Sequence, residues 1–237
     1  MRPHPLLLAA LVASTIAARG VADSEVSAYY AGLLHRGPAW TPTRSAATDS
    51  LQAGHLANMG AMHQAGLLIG AGPMLDGGPF RGVWFFRADS IEQIRAHVAR
   101  DPAIRAGRLR CDLEPWWGPR GIGEDYERRA AAGAPDSMMT YVLGLTRTGP
   151  RYSGSGTSAR NELRPSSLET TDRMLEEGKV ILQGWFGDGD PMSLYVFSTS
   201  DTAVARRWCD ADPTVRSGRL RVELHPWMVA YGVIPQH

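Results

Sequence analysis

Lysine is almost missing from this chain. Lys179 is the only one among 237 residues, so nearly all the cationic charge is arginine. An excess of either charge is missing too: 25 basic side chains stand against 24 acidic ones, a formal net charge of +1. Such a balance supplies no field to gather nucleic acid or anionic lipid, and neither is an expected partner. Cysteine is restricted to Cys111 and Cys209, which excludes a disulfide-stapled scaffold. No glycine-rich phosphate loop follows a strand pattern, and no Gly-x-Ser-x-Gly elbow is present. His35, His55 and His63 lack metal-ligand spacing. Asp188-Gly-Asp190 has only a fragment of a calcium loop and reads as a turn. No metal and no cofactor is expected.

The beginning of the chain has a character of its own. Arg2 is followed by an uncharged apolar run, Leu6 to Ala18, and then by the small residues Gly20-Val21-Ala22. Thirteen apolar residues fall short of the ~20 that span a bilayer, but they suit the core of a secretory signal. Residues 1–22 are therefore expected to be a signal peptide cut before Asp23. The mature protein is expected to be secreted or periplasmic and free of the membrane.

Beyond it, the chain says the same thing twice. Asp101-Pro-Ala-Ile-Arg-Ala-Gly-Arg-Leu-Arg-Cys-Asp-Leu-Glu-Pro-Trp116 returns as Asp212-Pro-Thr-Val-Arg-Ser-Gly-Arg-Leu-Arg-Val-Glu-Leu-His-Pro-Trp227. Upstream, Tyr29, Gly32, Leu33, Gly37 and Pro38 return as Tyr141, Gly144, Leu145, Gly149 and Pro150. Two copies are too few for a solenoid, but they suit a fused pair. The expected domains are residues 27–117 and 139–231. The linker 118–138 is rich in Gly and Pro at first and helical from about Glu124 to Ala132. Cys111 and Cys209 stand where the other copy has Val222 and Val98, so they are read as small hydrophobes rather than a bonded pair.

Each copy reads as strand, helix, strand, strand, helix, strand. In copy one the segments are Ala28 to His35, Thr48 to Ala65, Leu67 to Gly70, Val83 to Arg87, Ser90 to about Arg100, and Arg108 to Glu114. The fold class is therefore α+β: two ferredoxin-like βαββαβ domains, each with one sheet face bare. Those faces are expected to pack sheet to sheet as an intramolecular pseudo-dimer, an α+β barrel enclosing a space with helices outside. The state in solution is expected to be a monomer or a weak homo-oligomer.

His55 is the sharpest difference between the copies. It shares a helical face with Leu51, Met59 and Met62, and its counterpart is Ser167. Imidazole suits proton transfer near neutral pH. Asp101 and Asp212 each precede a proline, the pattern of an N-cap opening one helical turn. A carboxylate there could also orient a histidine, but the topology argues against direct contact. Both long helices follow parallel strands, so the start of the first and the end of the second belong at opposite ends of a domain. Asp212 of the other copy is the alternative partner. Arg36 and Trp40, after the first strand, are candidates to grip a planar or anionic ligand. Gly72-Pro73 permits a close approach, and Trp185, replacing Pro73, is expected to plug the second cavity.

The ordered set Gly37-Pro38-x-Trp40, His55-Leu56, Gly66-Leu67-Leu68-x-x-x-Gly72-Pro73, Asp101-Pro102-x-x-x-x-Gly107-x-Leu109 and Pro115-Trp116 resembles the YCII-related family. The second copy keeps Gly178, Gly184, Asp212-Pro213, Gly218 and Pro226-Trp227. The resemblance implies the dimeric α+β barrel fold and a site centred on a histidine and an aspartate, matched here by His55 and Asp101; Arg36, Trp40, Gly72 and Pro73 remain the candidates on the substrate side from the residues themselves. It implies at most one working site per chain, since copy two has Ser167. Some family members are similar to dehydrochlorinases or isomerases of small cyclic compounds.

The leading expectation is a His-centred pocket for a small cyclic or aromatic molecule, with isomerase- or lyase-type chemistry and no cofactor. The rival is a binding or assembly module in which His55 is structural. A haem- or quinone-related oxygenase ranks last, for want of an axial ligand.

Overall fold

The computed structural model describes residues 26–154, 164–187 and 190–235, with the backbone alone for 164–168. The expected signal peptide, the side chain of Ser167 and part of the Asp188-Gly-Asp190 turn lie outside the described residues. Copy one comprises β1 (Val26–Arg36), α1 (Ala46–Gln64), β2 (Leu68–Pro73), β3 (Phe80–Phe86), α2 (Ile91–Val98), the short α3 (Pro102–Arg105) and β4 (Leu109–Pro119). After α4 (Glu124–Ala131), copy two follows with β5 (Met138–Thr148), α5 (Arg164–Glu176), β6 (Val180–Phe186), β7 (Ser193–Phe197), α6 (Thr202–Cys209), α7 (Pro213–Arg216) and β8 (Leu220–Ala230).

Period-two burial explains the strands. Tyr29, Ala31 and Leu33 of β1 face one side and Leu34 the other, each row meeting its own apolar layer. The strand order β2-β3-β1-β4-β6-β7-β5-β8 is antiparallel throughout. The copies join at their edges: Trp116 and Trp117 of β4 pair with Phe186 and Trp185 of β6. At the opposite seam Met74 bridges Trp227 and Leu75 N–H donates to Pro226 O at 2.8 Å, which closes the barrel. The strands before these seams outrun the sequence reading, because β2 continues through Gly72-Pro73 and β4 through Pro115-Trp116. Pro115 faces Tyr30 within an established ladder, so one missing donor does not end the strand.

Each seam is set by a glycine of one copy and a tryptophan of the other. A Cβ on Gly184 would fall 2.0 Å from the Trp116 ring, and one on Gly72 would fall 2.4 Å from Trp227 Nε1 and 2.1 Å from Met228 O. Trp116 and Trp227 are fully buried at the centre of the barrel with Tyr29, Phe85, Phe186, Leu143 and Val229. Burial of each such side chain is worth about 2–3 kcal/mol. The sequence pointed to a space between the two sheets, but these side chains occupy it. Outside the barrel, separate apolar layers lie under the helices of each copy. Leu34, Met62, Trp84, Phe86, Ile94 and Val98 form one, and Val142, Met174, Tyr195, Phe197, Ala205 and Cys209 the other. Cys111 and Cys209 are free thiols, one in each layer.

Candidate functional site

Ser45 caps α1 in a capping box with Thr48, so the helix is 19 residues long and His55 falls at its middle. The imidazole is 7 % exposed and stacks on Trp84, with ring centroids 5.4 Å apart and planes 20° from parallel. Its Nδ1 lies 2.9 Å from Asp101 Oδ2.

The topological argument against that contact is overturned, and the reason is local. His55 is well along α1 rather than at its start. The chain leaving α2 does not go straight into β4 but inserts α3, which packs against α1. Gly54, next to the histidine, lets α3 come close: a Cβ there would meet Pro102 Cγ at 2.8 Å. Asp212 is not the partner of His55. It is occupied by its own copy, where Oδ1 accepts from Thr214 N at 2.7 Å.

Asp101 is fully buried and divides its oxygens. Oδ1 caps α3 by accepting from Ala103 N (2.9 Å) and Ile104 N (3.2 Å). Oδ2 takes His55 Nδ1 and the amide of Asn58 at 3.2 Å. Burial alone would push this carboxyl up. The hydrogen bond and charge of His55, with the two backbone donors, outweigh it and hold Asp101 below its ordinary value. An ionised carboxylate only accepts, so Nδ1 carries the proton, and in the neutral form of the ring the lone pair is on Nε2. Among the described residues Nε2 has no hydrogen-bond partner.

His55 lines a cavity of about 370 Å³ between α1 and the outer face of the copy-one sheet. Trp40, Gly72 and Pro73 line it, and so do Arg81, Arg108 and Trp84. Arg36 is not in the wall, although its guanidinium lies 5.2 Å from the Trp40 ring. The close approach that Gly72 permits is taken up by Trp227 and Met228. Met138 and Met228 of copy two complete the wall, so the halves meet at this cavity without enclosing it. Arg81, Arg108, Asn58 and both methionines escaped the sequence reading. Asn58 was legible in principle, one helical turn from His55 on the same face.

Among the described residues, the matching position in copy two is nearly solid. Thr171, Tyr195, Phe197, Val222 and Asp212 surround about 10 Å³, room for no more than one water. Tyr195 replaces Trp84, and its hydroxyl lies 3.4 Å from those of Thr171 and Ser193. Trp185, expected as the plug, is not in this wall and pairs instead with Trp117 across the seam.

The YCII-related domain matches residues 29–116 and again 139–228, and the chain belongs to that family. No curated protein sequence matches it significantly. Similar solved structures include a putative chlorite dismutase, with TM-score 0.49 and 11 % identity over 85 % of this chain and 93 % of that one. A mutant chlorite dismutase from Candidatus Nitrospira defluvii has TM-score 0.48 and 13 % identity over 86 % and 92 %. A putative monooxygenase from Lactobacillus acidophilus has TM-score 0.44 and 10 % identity over 85 % and 93 %.

Proposed function

We propose that the protein binds a small cyclic or aromatic molecule in the cavity under α1, and that His55 Nε2 exchanges a proton with it in an isomerisation or elimination needing no cofactor. The observation that carries this reading is the His55–Asp101 pair at the cavity wall, with the carboxylate on Nδ1 and the other nitrogen unpartnered. A buried carboxylate that fixes the tautomer also stabilises the imidazolium formed when Nε2 takes a proton. Asn58 and the two amides of α3 keep the carboxylate in place.

A second reading has one observation in its favour. Asp101 also caps α3, and His55 also stacks on Trp84, so the pair has structural work as well. Deuterium exchange separates the two. A panel of small cyclic compounds is screened by thermal shift, since a ligand of the folded state raises Tm. Those that bind are incubated with protein in D2O and followed by proton NMR. Proton-transfer chemistry makes a carbon-bound hydrogen of the ligand exchange with wild type and not with His55→Ala. Binding without exchange or turnover leaves a binding module with a structural histidine. The export proposal is separate: the first residue of protein recovered outside the cytoplasm is expected to be Asp23.

No helix among the described residues is long and apolar enough to cross a membrane.

A further inference from the structure

Three guanidiniums surround one indole at the edge of the His55 cavity. The Cζ atoms of Arg108, Arg81 and Arg36 lie 4.4, 4.9 and 5.2 Å from the centre of the Trp40 ring. They are thus within about 10 Å of one another, close to the ~8 Å screening length of physiological salt, and they repel. Among the described residues none is ion-paired. Each donates to a backbone carbonyl instead: Arg36 to Gly77, Arg81 to Gly78 and Arg108 to Thr41. Burial, with Arg36 and then Arg108, pulls the Arg81 guanidinium below its ordinary value, against the single opposing carboxylate of Asp76. Asp76 is itself engaged by His225 Nδ1 at 2.6 Å. Trp40 Nε1 is buried and has no hydrogen-bond partner.

The second copy serves as an internal control for what the fold requires here. At the equivalent places it has Tyr152 for Trp40, Thr148 for Arg36, Met192 for Arg81 and Arg219 for Arg108. Met192 and Leu220 pack there with Tyr152 and Val215 as a small apolar cluster. Copy two keeps Arg219, and its buried Tyr152 hydroxyl is unpartnered like Trp40 Nε1, but hydrocarbon fills the rest of this corner. Copy one, which alone has the histidine, differs in charge: Arg36 and Arg81 stand where copy two has Thr148 and Met192, and Asp76 is the single carboxylate facing them. Cation–π attraction holds the guanidiniums on the ring, and the single carbonyl that each one serves leaves most of its donors for a ligand.

We propose that Trp40, Arg81 and Arg108 form a carboxylate-binding site, so that the molecule taken by the cavity is a cyclic or aromatic carboxylate held by its anionic group at the arginines. This rests on the reading of the cavity as a small-molecule site and narrows it to one chemical class. Arg36 lies behind the wall and adds positive potential. The carboxylate anchors one end, and the ring extends over Trp84 toward His55.

The test uses matched probes on the full chain: benzoate and cyclohexanecarboxylate, each against its primary amide. Isothermal titration and the rise in Tm report binding. Both acids are expected to bind at least ~10-fold more tightly than their amides, the loss typical of an unmet charged hydrogen bond. Arg108→Gln is expected to erase that preference. Arg81→Met installs the residue that copy two uses at the same place, so it is expected to fold with Tm unchanged or raised and still lose the preference. Acid and amide binding alike, neither binding, or an acid preference that survives in a folded Arg81→Met protein would each overturn the assignment. Failure of proton transfer reads differently: the acids bind selectively, but no compound of the panel exchanges a carbon-bound hydrogen.

Discussion

Thr214 donates its hydroxyl to Asp212 Oδ1 at 2.5 Å, and that bond stands in the second copy where the first has the methyl group of Ala103. The two aspartates share the capping role but differ in their remaining partners. Asp101 turns to His55 and Asn58, whereas Asp212 is served by the threonine two residues on, in its own helix. Thr214→Ala is expected to destabilise the protein by about 1–2 kcal/mol, since it removes a donor from a buried carboxylate. Urea denaturation measures this, and a loss below a few tenths of a kcal/mol would mean that solvent serves Asp212 equally well.

Asp101→Ala removes the cap of α3 and strands both His55 Nδ1–H and the Asn58 amide. The combined cost is expected to be about 2–4 kcal/mol. Asp101→Asn keeps a capping oxygen and is expected to cost about 1–2 kcal/mol, with the fold retained. If the proposed chemistry holds, Asp101→Asn still abolishes proton exchange, because an amide can present the wrong group to Nδ1 and does not stabilise an imidazolium. Equal stability of the two variants would remove the cap from the account.

The depressed value of Asp101 fixes a pH dependence. A carboxyl whose folded value lies below its unfolded value of 3.8 contributes stability that is present above 3.8 and is lost as pH falls through the folded value. The urea midpoint of wild type is expected to exceed that of Asp101→Asn at pH ~5, and the gap to narrow below 3.8. A gap that stays constant into strong acid would contradict the assignment.

Both thiols are predicted to be inert in the folded protein. Burial first, then the charges of Asp112 and Asp101, pushes Cys111 up to about 12. Burial pushes Cys209 up to about 12 against the opposing charge of Arg206. Thiolate is the reactive form, so a thiol reagent at mildly alkaline pH should label neither until denaturant is added. Rapid labelling of one cysteine under native conditions would show that its layer opens.

Gly72→Ala and Gly184→Ala are expected to be among the most damaging small substitutions in the chain. Each sets a methyl group into the other copy's tryptophan at a distance no contact tolerates. Losses of about 3 kcal/mol or more are expected for each, with similar magnitudes because the seams are equivalent. A thermal melt decides. A large effect at one glycine only would show that the barrel is held at a single seam.

Much of this was legible in the residues. The repeat gave the two βαββαβ units, and the Asp-Pro pattern gave both caps. His55 was singled out by its company on a helical face and by Ser167 opposite it. What escaped reading was three-dimensional. The short α3 and the small neighbour Gly54 bring Asp101 to the histidine, and neither has a signature that reveals its tilt. Arg81 falls before the expected third strand and Arg108 at the start of the last, and nothing in the residues shows that both reach the ring of Trp40. The seam could not be guessed because Gly72 seemed placed for a ligand, while the group that uses it comes from 155 positions further along.

The exchange of tryptophans across the seams also bears on how the two halves can diverge. In an assembly of identical subunits every substitution lands twice, so a site can be abandoned only in all copies at once. Joining two subunits in one polypeptide lifts that restriction. One half then serves as a counterpart that supplies Trp227 to the seam and Met138 and Met228 to the cavity wall. The other is free to specialise.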